Sequence, residues 1–316
     1  KAIRRQRQMC IRDSPVVASK NIREEFISYI STSFSIADEK LREQFITELR
    51  GNVSSGPWLE INDAFKNGRS ISELIDDGVL SPLFRNLESG KPNTKLYKRC
   101  LPIDRPLYLH QEQAIKSIVA GHNAIVSTGT GSGKTNCFLI PVINELLKEK
   151  EEGTLGSGVR ALFIYPMNAL ANDQMKNIRK ILMYYPDITF GVYNGATEYN
   201  EDNANSVYEA MFGNEAVPEL RKRLPNELLS RDEMKQTPPN ILFTNYAMLE
   251  HLLFRPKDDV LFSKSDFRFV VLDEAHVYSG ATGIETAILL RRLRARISIS
   301  YTHLRAHETL MNLVCR

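Results

Sequence analysis

The chain holds 316 residues, 42% hydrophobic and 25% charged, with a formal net charge of +3. That balance excludes disorder throughout and leaves room for two domains at ~100–200 residues each. No run reaches the ~20 apolar residues of a membrane helix, and no apolar stretch follows the basic start as a secretory leader requires. A cytoplasmic protein with no membrane partner is therefore expected. Cys10, Cys100, Cys137 and Cys315 lack metal-ligand spacing and predict neither a zinc site nor a disulfide framework.

The positive charge sits at the ends. Residues 1–14 hold five basic groups and one acid, and residues 299–316 hold two and one, which leaves 34 basic against 36 acidic residues between them. The overall balance thus carries no nucleic-acid signal. The terminal segments RRQRQMCIRD and SYTHLRAHETLMNLVC resemble peptides translated from sequencing-adapter read-through. Residues 1–14 and 299–316 are accordingly expected to be foreign to a natural chain cut at both ends.

Residues 15–100 read as a small helical accessory region without evident chemistry. Ile22, Phe26, Ile27 and Ile30 repeat at helical spacing, as do Leu41, Phe45, Ile46 and Leu49, with Gly51 as a fitting stop. Ser70 with Glu73 three residues on predicts a capping box that opens a helix over Ile71–Asp76. Gly90-Lys91-Pro92-Asn93 reads as a linker.

From Leu101 strand and helix alternate. Short β-branched or aromatic runs predict strands at 123–127, 161–165, 188–193, 241–244 and 269–272, with helices at 111–120, 134–148, 169–183, 247–254 and 283–296. Continuous apolar runs imply strands buried on both faces, hence a parallel sheet covered by helices. The polar stretch 198–239 is too long for a simple connection and is expected to be a helical insertion.

The first of these strands runs into Thr128-Gly129-Thr130-Gly131-Ser132-Gly133-Lys134-Thr135, and a helix begins at the lysine. Glycines let successive backbone N–H groups converge on phosphate oxygens, and the helix N-terminus adds donors and a favourable dipole. Lys134 would reach the β- and γ-phosphates, and the Thr135 hydroxyl would ligate Mg²⁺. Thr128 stands where the strict pattern has glycine. A flexible linker is excluded because the turn lies between two strongly patterned elements. The last strand leads into Asp273-Glu274-Ala275-His276, a carboxylate pair at the place where such sheets keep their ligand chemistry. Asp273 would hold Mg²⁺ opposite Thr135, and Glu274 would orient and activate the attacking water.

Together these motifs resemble the first RecA-like motor domain of superfamily 2 DNA/RNA helicases of the DEAD/DEAH-box kind. The likeness runs from about Leu101 to Arg296, in a domain taken as 101–298 with its insertion at 198–239. It implies an α/β fold: a RecA-like P-loop NTPase domain, a parallel sheet with helices on both faces, preceded by the small helical region. It also implies an ATP-dependent helicase or translocase that uses ATP and Mg²⁺. Leu107-Tyr108-Leu109-His110-Gln111 resembles the segment whose glutamine reads the adenine edge, so Gln111 is carried over as the base-recognition residue; Tyr108 is either an adenine-stacking ring or a core tyrosine. The segment from Tyr165 to Gln174 resembles the first strand-contacting motif, which points to Pro166 and Asn168, with Met167 where the family has threonine. The segments from Tyr193 to Thr197 and from Thr244 to Leu249 resemble the next two, adding Gly195, Thr197, Thr244 and Asn245 as nucleic-acid contacts. His276 is carried over as a coupling residue.

Within that superfamily, Tyr278-Ser279-Gly280 and the arginines of Leu289–Arg294 resemble the helicases with a C-terminal zinc-binding module known from bacterial and yeast DNA repair. Gly56-Pro57-Trp58-Leu59-Glu60 through Leu80 resembles the front of large helicases from bacterial antiphage defence loci. The implied partner is a single-stranded or duplex nucleic acid, DNA ahead of RNA, bound without sequence preference. In the family a second RecA-like domain supplies an arginine finger worth ~10³–10⁵ in rate in related enzymes. This chain stops before that domain, so weak nucleotide binding and poor turnover are expected of it alone. The alternatives are a double-strand DNA translocase and a non-hydrolysing nucleotide-binding regulatory module; Glu274 argues against the latter, since a pure binder has no need of it.

Overall fold

The computed structural model describes residues 15–54, 65–89, 101–129, 131–212, 221–263, 265–300 and 312–315. The chain divides into two compact units, Lys1–Ala64 and Phe65–Arg316. In the first, α1 (Pro15–Ser33) and α2 (Glu39–Asn52) meet through Phe34 and Phe45, whose rings lie edge-to-face with centroids 6.2 Å apart. Asp38 caps α2 by accepting from the Leu41 N–H at 2.9 Å. The helix continues through Gly51, the expected stop, because the Val53 N–H still finds the Leu49 carbonyl. The linker expected at 90–93 and the segment 56–60 lie outside the described residues.

The second unit is built on β3 (Ala124–Ile125), β4 (Ala161–Tyr165), β5 (Phe190–Tyr193), β6 (Glu227–Leu228), β7 (Ile241–Asn245), β8 (Phe269–Leu272) and β9 (Asn312–Cys315). They form one sheet in the order β3-β9-β8-β4-β7-β5-β6, every pairing parallel. Ahead of it, β1 (Asn67–Ser70) pairs antiparallel with β2 (Pro106–Tyr108). The helices are α3 (Ile71–Asp76), α4 (Leu109–Val119), α5 (Lys134–Glu151), α6 (Asn168–Leu182), α7 (Glu201–Phe212), α8 (Arg231–Gln236), α9 (Tyr246–Phe254) and α10 (Gly280–Ser300), with short helical turns between some of them.

Strand alternation sorts the core into two layers. Phe163, Tyr165, Ile241, Phe243, Phe269 and Val271 share one cluster with residues of α4, α5 and α6. Leu162, Ile164, Leu242, Val270 and Leu272 share the other with residues of α9 and α10. Helices therefore cover both faces, as the continuous apolar runs imply. All five residues of β4, at the centre, are buried.

Residues 65–89 belong to the first of these layers. The capping box forms as expected, with Ser70 Oγ accepting from the Glu73 N–H at 3.1 Å and the Glu73 carboxylate from the Ser70 N–H at 2.6 Å. It turns Ile71 and Leu74 into the cluster that holds Ile115 and Phe138. Ser81 is tied to α5 through Asn144 and Glu151, and Tyr185 donates to the Leu83 carbonyl at 3.0 Å. This stretch is part of the sheet unit, in contrast to its place in the sequence reading, because its apolar face finds the sheet's helices.

Two further differences concern strands. The stretch 198–239 is not purely helical: between α7 and α8 it contributes β6 to the edge of the sheet. Asn312–Cys315, within the segment expected to be foreign to the natural chain, supplies the strand between β3 and β8. Among the described residues no helix is long and apolar enough to cross a membrane.

Candidate functional site

The strands of the parallel sheet have successive carboxyl ends on one edge, and five of the motifs singled out in the sequence follow such an end, whereas the Leu107–Gln111 segment follows β2 of the antiparallel pair. The glycine-rich loop follows β3, the Pro166–Asn168 segment β4, the Asn194–Thr197 turn β5, Asn245 ends β7, and Asp273 follows β8.

The loop leaves β3 through buried Val126 and closes on itself where the Thr128 and Ser132 hydroxyls meet at 2.6 Å. That contact gives threonine a use at the position where the strict pattern has glycine. Gly133 is the N-cap of α5 in the left-handed region (φ 70°), and a Cβ there would stand 2.5 Å from Gln111 Nε2. Glycine alone meets both demands. Gly131 is also left-handed, Gly129 is exposed, and Thr130 lies outside the described residues. Lys134 and Thr135 open α5, both half-buried. Residues 128–135 contain no acid, so the loop's donors suit an anion such as a triphosphate.

Gln111 sits beneath the loop, 4% exposed. Its Nε2 donates to the Gly133 carbonyl at 2.8 Å and the Ser132 carbonyl at 3.2 Å, while its Oε1 accepts from the Tyr108 N–H at 2.9 Å. His110, which no sequence motif assigns a role, adds Nε2 at 3.1 Å from the Ser132 carbonyl. Its ring stacks on Tyr108 at 5.7 Å, with Phe65 against both. Tyr108 is therefore held by neighbouring rings of its own chain. Beside this cluster a cavity of about 220 Å³ opens, lined by Leu101, Arg105, Tyr108, Gln111, Gly133 and Asn136 among others.

Asp273 is 2% exposed and accepts from the Glu274 N–H at 2.8 Å. Among the described residues Glu274 is the one non-glycine at positive φ, 50°. The left-handed region costs such a residue about 1–2 kcal/mol, a strain of the kind found at functional sites. His276 Nδ1 lies 3.3 Å from Glu274 Oε2, with the ring largely exposed. The Tyr278 hydroxyl is buried without a hydrogen-bond partner among the described residues, and its ring lies 6.2 Å from that of Tyr246. Burial first, then the Asp273 charge, pushes its ionisation up to about 12, so it stays a neutral donor. β3 and β8 are separated by β9, which sets the loop and Asp273 roughly 10 Å apart across the sheet.

On the other half of the edge the expected nucleic-acid residues fare differently. Asn245 Nδ2 donates to Asn168 Oδ1 at 2.7 Å at the surface, joining two motifs that are 77 residues apart. Pro166 is half-buried, and Met167 beside it is exposed. Gly195 is exposed, with open space around it. Thr197 serves the turn itself: its hydroxyl accepts from the Asn194 N–H and donates to the Val192 carbonyl, both at 2.9 Å. Thr244 is the exception. It is fully buried and its hydroxyl donates to the Tyr193 carbonyl at 2.8 Å, so it joins β7 to β5 rather than facing a ligand.

Arg231 holds the turn in place. Almost fully buried, it donates to the Thr197 carbonyl at 2.8 Å and the Asn194 carbonyl at 2.9 Å, with the Tyr193 and Tyr199 rings on its guanidinium. No sequence signal marks this residue apart from the Ser230–Glu233 capping box beside it, which forms. The insertion is anchored further in by Arg179 of α6. Arg179 is 1% exposed, bonds Glu227 at 3.0 Å, and lies under the Tyr208 and Phe212 rings. Burial raises the Glu227 carboxyl above its ordinary range, against the lowering pull of Arg179.

A strand, a glycine-rich loop and a helix, with a buried aspartate on the same edge of one parallel sheet, define a domain of RecA-like P-loop architecture. The chain belongs to the DEAD/DEAH box helicase family, whose model matches residues 108–310. It is 29% identical to the Druantia protein DruE of Escherichia coli over 93% of this chain and 20% of that one. To the ATP-dependent helicase hrq1 of Schizosaccharomyces pombe it is 30% identical over 59% of this chain and 14% of that one. The fold is shared with the DUF1998 helicase MrfA, solved bound to DNA and AMPPNP, at a TM-score of 0.55 and 23% identity over 86% of this chain and 30% of that one. The chain thus spans a third or less of each of these proteins.

Proposed function

We propose that this chain is the nucleotide-binding engine of an ATP-dependent nucleic-acid helicase or translocase that works in the cytoplasm. What carries the reading is the pairing of an acid-free glycine-rich loop capped by left-handed Gly133 with a buried Asp273 and a strained Glu274, on the same edge of one sheet.

In this reading the loop from Thr128 to Gly133 cradles the phosphates with its backbone N–H groups, and Lys134 neutralises the β- and γ-phosphate charge. Thr135 and Asp273 would hold Mg²⁺, which supplies charge neutralisation to the transferred phosphoryl group. Glu274 orients the attacking water and takes its proton, with its backbone held at an angle that a relaxed chain avoids. Gln111 and His110 hold the loop from below. His276, in reach of Glu274 and open to solvent, links the hydrolytic carboxylate to what lies beyond this edge. The nucleic acid, DNA ahead of RNA, crosses the ends of β4, β5 and β7 and meets Pro166, Asn168, Gly195 and Asn245 through its backbone, without sequence preference.

The test is equilibrium binding of a fluorescent ATP analogue with and without Mg²⁺. Lys134→Ala is expected to weaken binding by about 2–5 kcal/mol, the usual cost of deleting one partner of a desolvated charge pair. Asp273→Asn should remove the Mg²⁺ dependence. Binding unchanged in both variants overturns the reading.

A further inference from the structure

A second cavity, of about 360 Å³, lies between α6, the end of β5 and the α7 and β6 segments of the insertion. That volume falls within the ~300–1,000 Å³ of ordinary small-ligand sites. Asn168 and Asn194 belong to its lining, which makes it continuous with the edge assigned above to the nucleic acid. Three carboxamides line it, and the fold does not use them up. Asn172, one turn from Asn168 on the same face of α6, has no hydrogen bond among the described residues. Asn168 gives its Oδ1 to Asn245 and keeps its Nδ2. Asn194 is 5% exposed; its Oδ1 accepts from the Ala196 N–H at 2.8 Å, while its Nδ2 has no partner among the described residues. A buried donor without a partner marks a place where something else supplies the acceptor.

Charge narrows the choice of occupant. Two carboxylates, Glu198 and Glu227, stand in the lining against the Lys176 ammonium, so the cavity does not suit a phosphate. The group that fits is neutral, has donors and acceptors along its edge, and has apolar faces. A nucleobase has all three. We propose that the cavity receives one base of the bound single strand, turned out of the stack, with the carboxamides on its edge and Val192, Val207 and Leu228 against its faces. This rests on the nucleic-acid reading above. Unstacked bases of a single strand can be splayed away from the backbone and held by their edges and faces, and turning one out costs least where no duplex has to open. A carboxamide both donates and accepts, so it serves the edge of any base, and the cavity adds grip without sequence preference.

The experiment measures, by fluorescence anisotropy, the affinity of a short oligothymidylate and of a strand of equal length that lacks every base. The unmodified chain is expected to bind the base-bearing strand about tenfold or more tightly, the effect of one well-held base. Val207 is 39% exposed, so Val207→Trp can fill the cavity with its indole without entering the core. It should bring the oligothymidylate down to the affinity of the baseless strand and leave the latter unchanged. Asn172→Ala should close the gap in part. Equal affinity of the unmodified chain for the two strands overturns the proposal, and so does a gap that survives both substitutions intact. An equal loss on both strands in Asn172→Ala also overturns it, because it places that amide on the backbone. Failure of the unmodified chain to bind either strand removes the nucleic-acid reading itself.

Discussion

The two halves of the sheet's carboxyl edge are built on opposite plans. On the β3–β8 side three of the positions assigned to the nucleotide, Gly131, Gly133 and Glu274, stand on backbone at positive φ. On the β5–β6 side the turn from Asn194 to Thr197 and the insertion behind it are tied down by two buried guanidiniums, those of Arg231 and Arg179. A small polyanion carries its own charge and can complete a site that is left incomplete. In the proposed reading, a polymer backbone presents repeating phosphates that must meet a surface already in register, and the buried ties would keep that surface rigid. The difference is one of who supplies the order, ligand or protein.

The comparison breaks first at Arg179. Removing one member of a buried pair strands the other, so Arg179→Met should lower the unfolding free energy by about 3–5 kcal/mol, read from urea denaturation. Replacing Arg179 and Glu227 together by apolar residues should recover most of that loss, and a double variant as weak as the single one would contradict the pairing. Arg231→Ala comes next. It should weaken single-stranded DNA binding by about 1–3 kcal/mol, since charged hydrogen bonds to two carbonyls are lost, while ATP-analogue affinity stays unchanged. An equal loss on both ligands would erase the distinction between the halves.

On the other side the sign reverses. Glu274→Gly relieves a left-handed residue and should raise stability by about 1 kcal/mol in the same denaturation assay. A loss of stability there would mean that the strain is absent. The smallest effect concerns the cap of α8. Partial burial raises the Glu233 carboxyl, but the Ser230 N–H and Arg223 outweigh it and hold it below its ordinary value of 4.5. A carboxyl that is more acidic in the folded chain contributes stability above about pH 4.5, and that contribution disappears as pH falls through the lowered value. Glu233→Gln should flatten this part of the stability–pH curve.

How much of this was legible in the sequence depended on whether a feature is contiguous. The bounds of β4 and β8 match the apolar runs at 161–165 and 269–272 to the residue, because a strand buried on both faces writes itself as an unbroken run. The first strand was expected over 123–127, but only Ala124–Ile125 pair, since Val126 and Ser127 already turn into the loop. β6 is two residues, one of them a glutamate, and gives no pattern to find. The loop from Thr128 to Thr135 and the Asp273–Glu274 pair were legible as short words. The supports were not: Arg231 reaches back 34 to 37 residues to its carbonyls and His110 reaches forward 22, distances at which sequence spacing carries no signal. Thr244 shows the converse, a motif letter that the sheet uses for itself.

The place of β6 at the rim has one more consequence. A rim strand exposes unpaired backbone groups that can recruit a strand from another molecule. β6 offers only two residues there, and one of them, Glu227, turns its charge inward onto Arg179. Without it the sheet would end at β5, four residues ending in Val192 and Tyr193, a far better template for edge-to-edge association. At this rim the insertion is thus also a guard rail, leaving another copy of the chain little backbone to pair with.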